Sequence, residues 1–217
     1  MTFITLLSDY GTTSEFVGVI HGVIARLCPQ ARVIDIAHGI PRHAVEIGAR
    51  VLARSLAFMP AGIHVAVVDP EVGARGVAVA LRVGAEERVL VGPDNGLLMP
   101  ATERLGGVVQ AVDISRSPRR LERTGATFYG RDVFAPVAAR LAAGAPLEQA
   151  GTPLEPGGLS LDPPTGWVGE ASWRVHRGGT RDRWSCPRPR HAAGPGGAVL
   201  WECQRPNLRL TPGFGAE

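Results

Sequence analysis

The chain has 217 residues, a net charge of +3 and a pI near 9.1, enough length for one full core with or without a small appendage. No apolar run approaches the roughly 18 residues of a membrane span, and Met1 to Leu7 runs straight into Ser8-Asp9-Tyr10-Gly11; a soluble, cytoplasmic protein without a leader or membrane partner is expected. Cys28, Cys186 and Cys203 are odd in number and widely spaced, which argues against a disulfide framework or a structural metal.

In chain order, Phe3 to Leu7 reads as a buried strand, and Phe16, Val17, Val19, Ile20, Val23, Ile24 and Leu27 recur at helical spacing behind the cap candidates Thr12, Thr13 and Ser14. Arg32 to Ile36 is a second strand, and Ala44 to Phe58 a second helix that ends before Pro60. Ile63 to Val68 is apolar throughout, as a central parallel strand buried on both faces is. Val77 to Leu81 and Val89 to Val91, separated by a polar turn, predict a hairpin; Val108 to Ile114 is another strand. Phe134, Val137, Ala138 and Leu141 line a helix from about Arg131 to Gly144. Strands alternating with helices predict an α/β domain with a central, largely parallel sheet flanked by helices.

Beyond about Pro153 periodicity fades, glycine and proline multiply, and all four tryptophans appear. Two regions are expected: an α/β domain over 1–160 and an irregular Arg/Gly/Pro/Trp-rich tail over 161–217, too poor in apolar residues to pack. The basicity belongs to this tail. Residues 1–166 carry 15 Arg against 16 acids, and residues 167–217 carry 8 Arg against 4. Every cation is Arg and none is Lys, which reads as GC-rich coding rather than phosphate recognition, so no nucleic-acid partner is expected.

Ligands of open α/β sheets sit beyond the carboxyl ends of the strands. Asp9 follows the first strand and Asp69 the third, each with a glycine (Gly11, Gly73) within four residues, and Asp94-Asn95-Gly96 follows a later strand. An acid at a strand end is as often a cap or turn former; several together favour a site. A carboxylate facing a ribose can accept both hydroxyl protons, which suits Asp9. Asp69 and Arg75 share one short loop and read either as a surface ion pair or as a polarising pair around a water. Thr127-Phe128-Tyr129-Gly130-Arg131-Asp132 enters a helix with backbone N–H groups available to a ligand. His38 and His43, without spacing partners, read as structural or pocket-lining.

Five segments, Ser8-Asp9-Tyr10-Gly11-Thr12 with Glu15-Phe16-Val17-Gly18, Asp35-Ile36-Ala37-His38-Gly39-Ile40 with Glu46-Ile47-Gly48-Ala49-Arg50, Val67-Val68-Asp69-Pro70, Gly92-Pro93-Asp94-Asn95-Gly96-Leu97-Leu98 and Thr127-Phe128-Tyr129-Gly130-Arg131-Asp132, stand in the order found in a known family. Over residues 3–158 the chain resembles the S-adenosylmethionine hydroxide adenosyltransferases, or SAM hydrolases, the family that also contains fluorinase and chlorinase. The resemblance implies hydrolysis of S-adenosylmethionine to adenosine and L-methionine by attack at the ribose C5′, with no cofactor and no metal. It implies that Asp69, Arg75 and Tyr129 stand at the catalytic positions. Asp9, Tyr10, Thr12, Phe16, His43, Asn95 and Gly130 would bind the substrate.

Three departures accompany it. Tyr129 stands where the hydrolases carry histidine, and Tyr129-Gly130 is more similar to the halogenases, so halide-dependent adenosyl transfer is the alternative reaction. The loop from Asp69 to Arg75 is one residue shorter than usual. The C-terminal β-barrel that clamps adenine and completes the neighbouring site in a homotrimer is missing or disrupted after Trp167, as an out-of-frame reading of GC-rich DNA would make it. A non-catalytic nucleoside-binding protein is the further alternative.

Overall fold

The computed structural model describes residues 2–68, 77–84, 87–122 and 128–159, together with the backbone of 172–177 and 180–185. The chain divides into two compact units, 1–165 and 166–217.

In the first unit, β1 (Phe3–Ser8), β2 (Arg32–Ala37), β3 (Gly62–Val67), β4 (Ala78–Val83), β5 (Arg88–Pro93), β6 (Val108–Asp113) and β7 (Thr152–Leu154) form one sheet in the order β2-β1-β3-β5-β4-β6-β7. β2, β1, β3 and β5 are parallel, and β4, β6 and β7 add antiparallel pairings. The largely parallel α/β sheet expected from the sequence is therefore present. β3 is buried at every position, as a central parallel strand covered on both faces must be.

Helix α1 (Phe16–Leu27) packs with α4 (Ala135–Ala142), and α2 (Val45–Ser55) packs with α3 (Met99–Arg104). Ile4 and Leu6 of β1, Val65 and Val67 of β3, Ile20 and Ile24 of α1 and Val137 and Ala138 of α4 share one core. Leu7, Ala66 and Val68 alternate with these residues in sequence, as a period of two requires, and face the other way. There Gly48 of α2 lies so near that a Cβ on it would stand 2.9 Å from a Val68 methyl. The first crossover runs to one side of β1 and the second to the other side, so β1 and β3 flank the topological switch point, where ligands of such sheets bind.

Several boundaries differ from the expectation. α1 takes Glu15 as its N-cap without a side-chain bond; Ser14 Oγ instead donates back to the Tyr10 carbonyl at 3.5 Å, so none of the three hydroxyl residues caps the helix. The second helix changes to a 3-10 turn at Leu56–Phe58. The last helix is preceded by a π turn, Gly130–Phe134. Neither α3 nor β7 is expected from the sequence.

In the second unit, β8 (Ser172–Arg177) and β9 (Thr180–Ser185) pair antiparallel, Arg177 opposite Thr180. Neither strand is named in the sequence reading. Trp173 and Val175 alternate with polar residues, and two glycines separate the strands in the sequence, a hairpin pattern masked by the surrounding Arg and Pro.

Among the described residues no helix is long and apolar enough to cross a membrane.

Candidate functional site

The carboxyl end of β1 delivers Asp9 to the switch point. Its N–H donates to the Val67 carbonyl at the end of β3, 3.3 Å away, so the main chain of Asp9 lies beside the strand that leads into Asp69. Gly11 turns the chain with φ +72°, a conformation that costs glycine little, and its N–H donates to the His38 carbonyl at 2.8 Å.

His43, also at positive φ (63°), donates its backbone N–H to Asp9 Oδ2 at 2.9 Å. A non-glycine residue in the left-handed region is uncommon, and here it aims an amide at a carboxylate. One oxygen of the Asp9 carboxylate is thus anchored by a backbone amide.

Tyr10, next to Asp9 in the chain, belongs to an aromatic wall. Tyr10, Phe16 and Phe128 pack edge to face and tilted, with centroid separations of 5.7 Å (Tyr10–Phe16), 5.4 Å (Tyr10–Phe128) and 4.8 Å (Phe16–Phe128). These spacings suit aromatic pairs. Phe16 remains 40% exposed although it is a large apolar ring at a helix start. Gly130 fits beneath the wall only because it lacks a side chain: a Cβ would stand 2.7 Å from both Phe128 Cε2 and the Tyr10 hydroxyl.

Of the pair Phe128-Tyr129, only Phe128 joins this wall. The Tyr129 ring packs tilted on Phe134 at 6.1 Å and against the core under α1 and α4. Buried Asp132 fixes the turn: it receives Arg131 Nε at 2.6 Å, Arg131 NH2 at 3.0 Å and the Phe128 N–H at 3.3 Å. The pair with Asp132 raises the Arg131 pKa further and keeps the guanidinium charged, and that group lies 5.7 Å from the Phe128 ring centroid.

Asn95 lies one strand further along. Its side chain donates to the Val68 carbonyl at 3.0 Å and accepts the Leu97 N–H at 3.1 Å, an Asx turn that grips the end of β3. Thr12 is exposed, between Gly11 and the start of α1. Asp69, Arg75 and Thr127 lie outside the described residues. The structure thus brings Asp9, Tyr10, Phe16, His43 and Gly130 together, sets Asn95 behind the end of β3, and turns Tyr129 toward the core.

Ser8, Asp35, Phe128 and Asp132 stand within the sequence motifs without an individual role assigned to them, and His38 without a partner. A separate groove of about 640 Å³, lined by Val19, Gly22, Val23, Arg26, Leu121 and Arg131 among others, shares no residue with the Asp9 cradle. Among the described residues no group of three His, Cys, Asp or Glu side chains could hold a metal ion.

Comparison with known proteins identifies relatives of this domain. The SAM hydroxide adenosyltransferase N-terminal domain matches residues 4–151. Over 148 residues the chain is 54% identical to an (R)-S-adenosyl-L-methionine hydrolase of Salinispora arenicola, covering 68% of this chain and 56% of that protein. A fluorinase of Actinoplanes sp. is 31% identical over 168 residues, covering 67% and 56%. The chain spans just over half the length of these curated relatives. A crystal structure of an uncharacterized conserved protein from Thermotoga maritima superposes with a TM-score of 0.65 at 38% identity, covering 70% of this chain and 58% of that one.

Proposed function

Since the chain belongs to the SAM hydroxide adenosyltransferase family, we propose that it hydrolyses S-adenosylmethionine to adenosine and L-methionine by attack of water at the ribose C5′. The observation that carries this reading is the Asp9 carboxylate at the β1/β3 switch point, anchored through one oxygen by the His43 N–H and followed in the chain by Tyr10, which packs with Phe16 and Phe128. An ionised carboxylate accepts from both hydroxyls of a ribose diol, and the aromatic edges offer an apolar surface to the sugar ring.

The leaving group departs as a neutral thioether, so the protein has mainly to orient an in-line attack and stabilise developing hydroxide. We assign proton acceptance to Asp69, next after Val68 in the sequence, and positive potential to Arg75. We assign Tyr129 to holding the Phe128–Gly130 turn, because its ring packs on Phe134. Without histidine at that position the base is weak near pH 7, and turnover is slow.

Halide transfer is the second reading, suggested by the Tyr129-Gly130 pair and by the 31% identity to a fluorinase. A carboxylate near the nucleophile repels an anion, and the similarity to hydrolases exceeds that to fluorinases; both favour water. Incubation of the full chain with S-adenosylmethionine, followed by chromatography with and without chloride, tests the proposal. Equal amounts of adenosine and methionine, unchanged by chloride, are expected. Formation of 5′-chloro-5′-deoxyadenosine, or binding without turnover, would overturn it.

A further inference from the structure

Next to Asp9, Ser8 of β1, His38 just beyond β2 and Asp35 of β2 make a line of contacts that runs from a buried hydroxyl to an exposed carboxylate. Ser8 Oγ lies 2.7 Å from His38 Nδ1, and His38 Nε2 lies 3.0 Å from Asp35 Oδ1 without the alignment of a hydrogen bond. The same Asp35 oxygen meets His21 Nε2 of α1 at 2.9 Å. Burial raises the Asp35 pKa, but the two imidazoles outweigh it and hold the carboxyl below its ordinary value, so Asp35 is ionised at neutral pH.

An ionised carboxylate beside Nε2 favours the tautomer with its proton there, leaving Nδ1 to accept. The Ser8 hydroxyl then donates to Nδ1, and its lone pairs accept the Tyr10 N–H at 3.4 Å. The order Asp-His-Ser matches a nucleophilic triad, but Ser8 is 3% exposed and its hydroxyl is committed on both sides. Ser8 directly precedes Asp9, and His38 opens the loop whose His43 N–H anchors that carboxylate. The His38 carbonyl also receives the Gly11 N–H.

We propose that His38 is a positioning residue for the ribose-binding carboxylate: by docking on Ser8 Oγ it clamps the loop from His38 to His43 onto the end of β1, and so sets where Asp9 presents its carboxylate. The left-handed backbone of His43 is held by this clamp, because strained conformations persist only where their surroundings over-determine them. The inference rests on the ribose role proposed above for Asp9.

Its test uses the full chain with adenosine as the probe. Calorimetry gives the affinity, and NMR hydrogen exchange of the His43 amide reads the clamp without a ligand. His38→Asn puts an amide oxygen near the position of Nδ1 and can still accept from Ser8; His38→Gln reaches the position of Nε2 and cannot. His38→Ala, His38→Gln and Ser8→Ala are expected to weaken adenosine binding at least tenfold and to speed exchange of the His43 amide similarly, while His38→Asn restores most of both. Wild-type exchange in His38→Ala, or equal behaviour of the Asn and Gln variants, would overturn the clamp. If His38→Ala does not fold, the Asn and Gln pair decides. Asp9→Asn separates the two ideas: unchanged adenosine binding in that variant, or no binding by the wild type, defeats the ribose assignment, while amide exchange still decides the role of His38.

Discussion

The side-chain amide of Asn95 donates to the carbonyl of Val68 at 3.0 Å, tying the turn after β5 to the last described residue before Asp69. With the Leu97 N–H on its oxygen, this one side chain fixes the strand end from which the proposed proton acceptor departs. Replacing Asn95 by Ala removes both bonds and leaves a part-buried carbonyl without its partner, at a cost of about 1–3 kcal/mol. Urea unfolding should show that loss. In the hydrolysis assay kcat should fall more than KM rises, because the variant disturbs the reacting end rather than the ribose grip.

Gly130 is predicted to tolerate nothing larger. A methyl at 2.7 Å from both the Phe128 edge and the Tyr10 hydroxyl forces the aromatic wall apart, an overpacking cost of about 1–3 kcal/mol. Gly130→Ala should lower the melting temperature and weaken adenosine binding together. Wild-type behaviour in both measurements would show that the wall is not closely packed in solution.

Asp132 is 4% exposed and answers Arg131 and the Phe128 amide. Asp132→Ala leaves a cation and a backbone donor facing the vacated space. Because Arg131 can partly reach water, the expected destabilisation is about 2–4 kcal/mol, short of the upper range for broken buried pairs. Loss of the turn should also appear as loosening of Phe128, read from its ring resonances by NMR.

His64 makes the stability of the domain pH-dependent. It is fully buried, with Thr5 Oγ1 3.0 Å from Nδ1, and burial, helped by the charge of Arg88, lowers its pKa from 6.5 to about 4. The unfolded chain therefore binds the extra proton over that interval. Stability is complete above pH 6.5 and declines as pH falls toward 4, by at most about 3 kcal/mol. Urea midpoints measured from pH 7.5 to 4 should follow that slope, and His64→Gln should flatten it.

Much of this architecture is legible from the residues alone, for physical reasons that differ by element. Phe3 to Leu7 and Ile63 to Val68 announce buried strands through continuous apolar side chains, and α1 through its helical spacing. The short elements escape because their local signals point the other way. Pro100 reads as a breaker, yet proline is at home in the first turn of a helix, where it stands in α3. Pro153 interrupts any strand pattern, but β7 lies at the sheet edge, where a missing donor is tolerated. Asp9 is legible as a strand-end acid. Its support is not, because Ser8 and His38 are 30 residues apart and nothing in either segment alone names the partner. The motif Phe128-Tyr129-Gly130 is visible in sequence, whereas only the fold shows that Phe128 joins Tyr10 and Phe16 while Tyr129 packs on Phe134.

The origin of the oxygen in the product tests the central proposal most directly. If the full chain is incubated with S-adenosylmethionine in ¹⁸O-labelled water, mass spectrometry should find one ¹⁸O atom in the adenosine, at the 5′ position, with methionine unlabelled, and Asp9→Asn should suppress that product. Adenosine formed without label, or labelled adenosine produced equally well by Asp9→Asn, would contradict hydrolysis at a ribose held by Asp9.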